Sequence, residues 1–258
     1  MISIRIHRFD TVSSTNDVAL QMARAGEPEG TVVLARSQSA GRGRRGRTWL
    51  DEPGTCVLMS AMLRPDLPPD RFPELSFVAS LSVAEYLRRA FAFEPALKWP
   101  NDVLIRERKA AGVLVETTGG FGAKSLPKHS CGAVVVGIGL NVNQTRFPPE
   151  IADSATSVAI ETGSPQDVDA AALSLAEALF ANYEAYLARG FEEILSRWRK
   201  YMWGAGRQAS VETEGRVLQG IILGVDCSGA LLLHDSSGEA HVIRAADSLT
   251  IRLSTLDF

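Results

Sequence analysis

The sequence predicts an α+β fold in two parts: a larger domain of strands and helices over residues 1–205, and a small all-β domain over residues 206–258. Three observations carry this. Within the first 200 residues, apolar side chains switch repeatedly between a spacing of two and a helical spacing. After Gly204 and Gly206 the pattern becomes short apolar runs separated by Glu214-Gly215, Ser228-Gly229 and Ser237-Gly238, the signature of a small barrel. Finally, 45% hydrophobic and 22% charged residues in 258 suit one large domain plus a small one.

Ile2, Ile4 and Ile6 alternate with polar residues and read as a half-buried strand. Ser14 stands three residues before Asp17 in a capping-box-like start, followed by Val18, Ala19, Met22 and Ala23 at helical spacing and by Gly26 as a stop. Residues 31–36 and 55–63 read as strands that enter and leave a loop. Residues 64–73 carry Pro65, Pro68, Pro69 and Pro73, which predicts an extended, non-helical connector. An amphipathic helix follows, with Leu75, Val78, Ala79, Val83, Tyr86, Leu87 and Ala90 on one side. Residues 96–105 place Lys98, Trp99, Pro100, Asn101 and Asp102 at a proline turn between two apolar runs, and a lysine pointing inward there demands an anionic partner. Residues 109–116 form another strand, residues 119–131 a glycine-rich hairpin tip, and residues 132–143 the returning strand. Gly137 and Gly139 inside that strand mark either a bulge or close approach by a ligand or another backbone. Two helices close the domain, with core faces Leu173, Ala176, Leu179, Phe180, Tyr183 and Leu187, then Ile194, Leu195, Trp198 and Met202. In the tail, Val211, Val217, Ile221, Leu223, residues 231–233, Val242, Ile243, Leu249 and Ile251 fall in short strands.

The loop between the second and third strands is the most unusual stretch, because residues 41–47 hold four arginines and three glycines. Glycines allow close backbone approach to a ligand, and arginines offer planar forks of donors that match carboxylates and phosphates. This reads as an anion-gripping loop. A dinucleotide-binding loop is excluded because Pro53 and Gly54 interrupt the helix that must follow the last glycine. A kinase loop is excluded because no His-Arg-Asp or Asp-Phe-Gly follows. A net charge of -3 makes the arginine cluster local and argues against bulk nucleic-acid binding. The cysteines, Cys56, Cys131 and Cys227, are odd in number and widely spaced, so neither a disulfide framework nor a zinc site is expected. No signal peptide or membrane span is expected, and a reducing cytoplasm fits.

With these passages in place, the chain resembles the biotin protein ligases. Ser14-Thr15-Asn16, Gln38 with the Gly-Arg-Gly-Arg-Arg-Gly-Arg-x-Trp run, Lys-Trp-Pro-Asn-Asp, Arg-Lys-x-x-Gly-Val-Leu-Val-Glu and Gly-Ile-Gly-Leu-Asn-Val-Asn follow in the family's order. The resemblance covers residues 1 to about 200, and the tail looks like that family's SH3-like C-terminal domain. It implies a mixed sheet packed with helices, similar to class II synthetases. Some members begin with a DNA-binding segment; here the ligase pattern starts at residue 2, so repressor function and DNA are not expected.

The resemblance also implies the chemistry: activation of biotin by ATP to biotinyl-5'-AMP with Mg²⁺, then transfer to a lysine of a biotin carboxyl carrier protein. It places Lys109, Arg44 and Lys98 as the catalytic cations. Ser14, Thr15, Asn16, Gln38, Gly41, Arg42, Gly112 and Gly137, with Arg44 and Lys109, are implied at biotin. Arg47, Trp49, Asn101, Asp102 and Asn141, with Arg44, Lys98 and Lys109, are implied at ATP, and Asp102 at the metal. The arginine loop is expected to be mobile without ligand and to order over bound biotin. The C-terminal domain is a plausible docking surface or lid, and a homodimer is possible. A lipoate or octanoate transfer enzyme shares a related fold but is not expected to show the glycine-arginine loop. A non-catalytic anion- or RNA-binding module, or a ligand-sensing regulator, stands further off.

Overall fold

The computed structural model describes residues 2–119, 132–213, 215–246 and 248–251. Its larger sheet has seven strands: β1 (Arg5–Val12), β2 (Thr31–Gln38), β3 (Cys56–Leu63), β4 (Pro95–Lys98), β5 (Asp102–Ile105), β6 (Arg108–Thr117) and β7 (Val134–Asn141), in the order β1-β2-β3-β7-β6-β5-β4. Only the β1–β2 pair is parallel, so the sheet is mixed. The first strand begins at Arg5, opposite Thr31, and not at Ile2 as the alternation predicts. Ile2, Ile4 and Ile6 nevertheless pack against the core, which is why the apolar pattern runs past the paired segment.

Side-chain alternation along the strands sorts the two faces of this sheet. Val32, Leu34, Val134 and Val136 point into the main core, whereas Val33 and Val135 point to the opposite face and meet Ala19 and Leu20 of helix α1 (Thr15–Arg24). Helices α2 (Glu74–Phe91) and α4 (Val168–Arg189) cover the main-core face, with α5 (Phe191–Arg199) packed on both; the short α3 (Val158–Thr162) is tied to the end of β7 by the Ala159 N–H to Val142 carbonyl bond. Phe77 and Trp198 lock α2 to α5 at a ring separation of 4.9 Å, and Trp198 Nε1 donates to Ser80 Oγ at 3.0 Å. α1 is shorter and covers only part of its face.

Several local expectations are corrected. Ser14 is the N-cap of α1, but its side chain makes no capping bond, and Asp17 turns away to pair with Arg42. The proline-rich connector contains a 3-10 turn, Pro69–Arg71, with proline at its first position where no N–H is required. The core face of α4 is rotated: Leu173 and Leu187 are exposed, at 38% and 46%, while Ala172, Leu175 and Tyr186 are buried. Ala171, Ala172 and Ala176 are buried beside Leu175 and Leu179, so small residues mark the buried face as much as large ones do. α5 ends at Arg199, so Met202 of the expected core face lies beyond the helix. Residues 120–131 of the expected hairpin tip lie outside the described residues.

The tail forms a five-stranded antiparallel sheet from β8 (Gln208–Thr213), β9 (Arg216–Val225), β10 (Leu231–His234), β11 (Ala240–Ile243) and β12 (Ser248–Ile251), in the order β11-β10-β9-β8-β12. This arrangement is consistent with an SH3-like domain. Gly215, Gly229 and Gly238 hold positive φ at the expected turns. Val211, Leu231, Leu233 and Ile243 face inward, whereas Val217, Ile221, Leu223 and Val242 stand on the exposed side. The two parts touch directly: Trp99 Nε1 donates to the Gly229 carbonyl at 2.9 Å, and Gly229 packs against Phe77 and Phe191. Among the described residues no helix is long and apolar enough to cross a membrane.

If α4 packs as described, Leu175→Ala should cost about 2–5 kcal/mol by urea denaturation, and Leu173→Ala within about 1 kcal/mol. Equal losses would place the core face where the spacing alone put it.

Candidate active site

The site lies on the α1 face of the large sheet, where α1 stops covering it. Cross-strand partners stand on one face, and one such row runs Lys98, Asp102, Gly112, Gly139 and Leu58 across β4, β5, β6, β7 and β3. The next row is Leu114, Gly137 and Ser60. The glycines in these rows make the floor low. A cavity of about 520 Å³ sits above it, lined by residues of both rows, by Ser14, Thr15, Asn16, Gln38 and Asn141, and by Arg42, Arg44, Arg47 and Trp49 of the loop. β12 of the C-terminal domain supplies a wall through Ser248, Leu249 and Thr250.

Gly137 and Gly139 are close-approach positions and not bulges, because β7 stays in register with both neighbours. A Cβ on Gly137 would meet Asn16 Oδ1 at 2.4 Å, and one on Gly139 would meet the Trp49 ring at 2.5 Å. The bulge is elsewhere. Between Val103 and Leu104 the β5–β6 pairing skips Ala110, so Lys109 and Gly112, three residues apart, both reach the cavity. Lys109 Nζ then lies 2.7 Å from Asp102 Oδ1 and 5.8 Å from the centre of the Trp49 ring. Its backbone is held by the 154–156 segment: Lys109 N–H donates to the Ser154 carbonyl, and Thr156 N–H to the Lys109 carbonyl. Glu161, with a fully buried side chain, pins that segment by accepting from Thr156 Oγ1 at 2.5 Å and from Arg108 at 2.7 Å.

The arginine loop folds down over the floor. Arg42 pairs with Thr48 in an isolated β-bridge, residues 44–46 form a 3-10 turn, and Arg45 and Gly46 take left-handed backbone. Trp49 N–H donates to the Gly41 carbonyl. Gly41 is buried against Trp49 and does not line the cavity, so its service is to the loop. The loop's arginines divide in role. Arg42 makes a bidentate bond to Asp17, at 2.7 and 2.8 Å, and reaches Glu116 at 3.3 Å. Arg44 is driven inward beside Asn101, where burial first, then the nearby Arg45, lowers its pKa from the ordinary guanidinium value. Burial likewise lowers the Lys98 ammonium, opposed by the Asp102 carboxylate. Arg44, Lys98 and Lys109 thus gather at one end of the cavity with the Asp102 carboxylate among them.

At the other end, Thr15 N–H and Oγ1 both donate to Gln38 Oε1, at 2.7 and 3.1 Å. Asn16 bonds Glu116 Oε2 at 2.7 Å through its amide nitrogen and Ser60 Oγ at 2.5 Å through its oxygen, so its amide is held by protein groups. Asn141 donates to the Thr156 carbonyl, and Asn101 to the Val113 carbonyl. Among the described residues Trp49 Nε1 is buried without an acceptor. Sequence reasoning missed Ser60, Asp17, Glu116 and Glu161; a serine within the apolar run 56–63 was the one legible signal. The Cys56 thiol is no nucleophile, since burial pushes it up to about 12.

Fold and site define an enzyme of the α+β class whose cationic cleft is built to receive anions, with a small β domain at its rim. The chain belongs to the Biotin/lipoate A/B protein ligase family, which it matches over residues 8–141; residues 205–248 match the Biotin protein ligase C terminal domain. It is 38% identical to a biotin–[acetyl-CoA-carboxylase] ligase of Paracoccus denitrificans, over 91% of this chain and 95% of that protein. It is 35% identical to the bifunctional ligase/repressor BirA of Bacillus subtilis, over 89% of this chain and 69% of that one. Among solved structures, a biotin protein ligase from Aquifex aeolicus in complex with biotin and ATP superposes with a TM-score of 0.81 at 29% identity, covering 96% of this chain and 99% of that one.

Two outcomes test the loop's seat. Gly139→Ala should lift Trp49 from the sheet and speed tryptic cleavage after Arg44 or Arg45; unchanged cleavage would count against the seat. Arg42 holds the Asp17 carboxyl below its ordinary range, chiefly by hydrogen bonding. Its contribution is therefore present above about pH 4, the unfolded-chain value, and lost as pH falls through the lower folded value. Both side chains are about a third exposed, so Asp17→Asn should cost only about 0.2–1 kcal/mol at pH 7, by thermal melts, with the difference vanishing in strong acid.

Proposed function

We propose that this chain is an ATP-dependent biotin protein ligase that joins biotin to a lysine of a biotin carboxyl carrier protein. The observation that carries the reading is the convergence of Lys98, Lys109 and Arg44 at one end of a single cavity whose other end holds Thr15 and Gln38. The obstacle to activating a carboxylate with ATP is electrostatic: like unit charges roughly 4 Å apart repel by about 4 kcal/mol at an effective dielectric of about 20. Cations fixed before the reactants arrive remove that barrier without reorganising.

In this reading the biotin carboxylate oxygen attacks the α-phosphorus, and the bond to pyrophosphate breaks. Lys109 stands where carboxylate and α-phosphate meet, Arg44 and Lys98 lie along the phosphates, and Arg47 assists from the loop. The carrier lysine then attacks the acyl carbon of the mixed anhydride and AMP leaves. Ser14, Thr15, Gln38 and backbone of the loop hold the ureido head, the closed loop keeps water from the anhydride, and Trp49 and Asn141 serve the adenylate end. The acceptor printed in the name of the Paracoccus relative, acetyl-CoA carboxylase, supports a carrier domain as partner.

A magnesium ion that travels with phosphates needs one or two protein carboxylates. Asp102 fits as a cavity-lining carboxylate, its Oδ1 2.7 Å from Lys109 Nζ and its two oxygens able to accept more than one partner. Bound there, the ion would neutralise phosphate charge.

Purified protein should exchange pyrophosphate into ATP with biotin and Mg²⁺, and not with lipoate or without acid. Lys109→Ala should lower that exchange about 100-fold or more. Exchange with lipoate would move the substrate assignment to the other branch of the family; none with any acid would sink the ligase reading.

A further inference from the structure

We infer that Trp203 is a positioning residue for the reaction: its ring, delivered from the junction between the two domains, holds the Lys98 ammonium at the phosphate end of the cavity. This rests on the reading of Lys98 as a phosphate-side cation.

A cation on a strand facing into a cavity requires a compensating group, and the sequence pattern calls for an anionic partner. The compensating group is different. Among the described residues no carboxylate lies within 4.0 Å of Lys98 Nζ; its cross-strand partner Asp102 is bonded to Lys109. Instead Nζ stands 5.1 Å from the centroid of the Trp203 ring, a cation–π distance, and Trp203 itself lines the cavity. Such a seat holds the ammonium without neutralising it. An ion pair would have to be broken before a phosphate could be gripped, whereas a ring leaves the charge available.

The ring is placed relative to Lys98 by backbone. Trp203 N–H donates to the Leu97 carbonyl at 2.9 Å, Leu97 N–H donates to the Tyr201 carbonyl at 2.7 Å, and Leu97 and Met202 form a parallel bridge. The residue before Lys98 and the chain around Trp203 therefore move as one. The same ring carries a second cation, the Arg207 guanidinium, 5.6 Å from its centroid. Arg207 is fixed by Glu107 at 2.5 Å, and Glu107 sits in the left-handed turn that enters β6, two residues before Lys109. Arg207 directly precedes the C-terminal sheet, so that domain is linked to Lys98 through the indole and to the turn before Lys109 through Glu107.

The test is calorimetric titration of inorganic pyrophosphate and of ATP into the full chain and its variants, alongside steady-state kinetics. Trp203→Leu should weaken both ligands about 10-fold, raise KM for ATP alike, and leave KM for biotin within about twofold. Trp203→Phe, which keeps an aromatic face, should recover most of the loss. In a Lys98→Ala background, Trp203→Leu should add nothing further. The inference is overturned by unchanged pyrophosphate binding in Trp203→Leu, by losses that add to those of Lys98→Ala, or by a parallel rise in both KM values with a lowered Tm. If the wild-type protein exchanges no pyrophosphate with biotin, the ligase reading fails separately, and the pyrophosphate titrations still judge the Trp203 seat.

Discussion

The absence of side chains at Gly112 and Gly139 is the constraint on which the rest of the site depends. These residues are cross-strand partners at the middle of the large sheet, and the indole of Trp49 comes down onto both. Any Cβ at Gly139 would collide with the ring. The ring in turn anchors the end of the arginine loop, and the loop presents Arg44 to the cavity. A shallow floor, a closed strap and an inward-driven guanidinium are thus one mechanical unit. Glycine in a strand interior weakens it, and the six cross-strand partnerships of the sheet, with α2 and α4 on its far face, supply the support that lets the floor tolerate two of them.

Electrostatics follows the same division of labour. Arg42 is neutralised by Asp17 and Glu116 and serves to bind the strap to α1 and β6. Lys109 is matched by Asp102. Arg44 and Lys98 are held inward with no carboxylate of their own at ion-pair distance among the described residues, and desolvation pushes both away from their charged forms. Such groups gain most from an arriving polyanion, because the ligand supplies the compensation that the protein withholds. The strap's structural cation, Arg42, thus carries two carboxylates and Lys109 one, while Arg44 and Lys98 have amide and aromatic neighbours instead.

Much of this was legible before any coordinates. The loop joining two strands, the helix after the proline connector and the glycine-punctuated tail all stand where spacing put them, because each rests on local chemistry: a glycine at positive φ, a proline without an N–H, an apolar period. The misplaced features share a different cause. The face of α4 was misjudged because Ala171, Ala172 and Leu175 lie on the buried side while Leu173 and Leu187 are exposed. The capping-box reading of Ser14 and Asp17 failed because a distant arginine competes for the carboxylate. The anionic partner expected for Lys98 is not found at ion-pair distance among the described residues, because the nearby Asp102 is bonded to Lys109.

By itself the sequence marked the segments that line the cavity, since a run such as residues 41–47 packs poorly in a core and short-range spacing constrains backbone directly. Only the tertiary structure decided which groups face one another. A bulge of one residue brings Lys109 onto the face of Gly112, the junction residue Trp203 comes to lie beneath Lys98, and Ser60 is set between Thr15 and Asn16. Those relations depend on register between strands far apart in the chain, and a slip of one residue in register reverses every side chain's face.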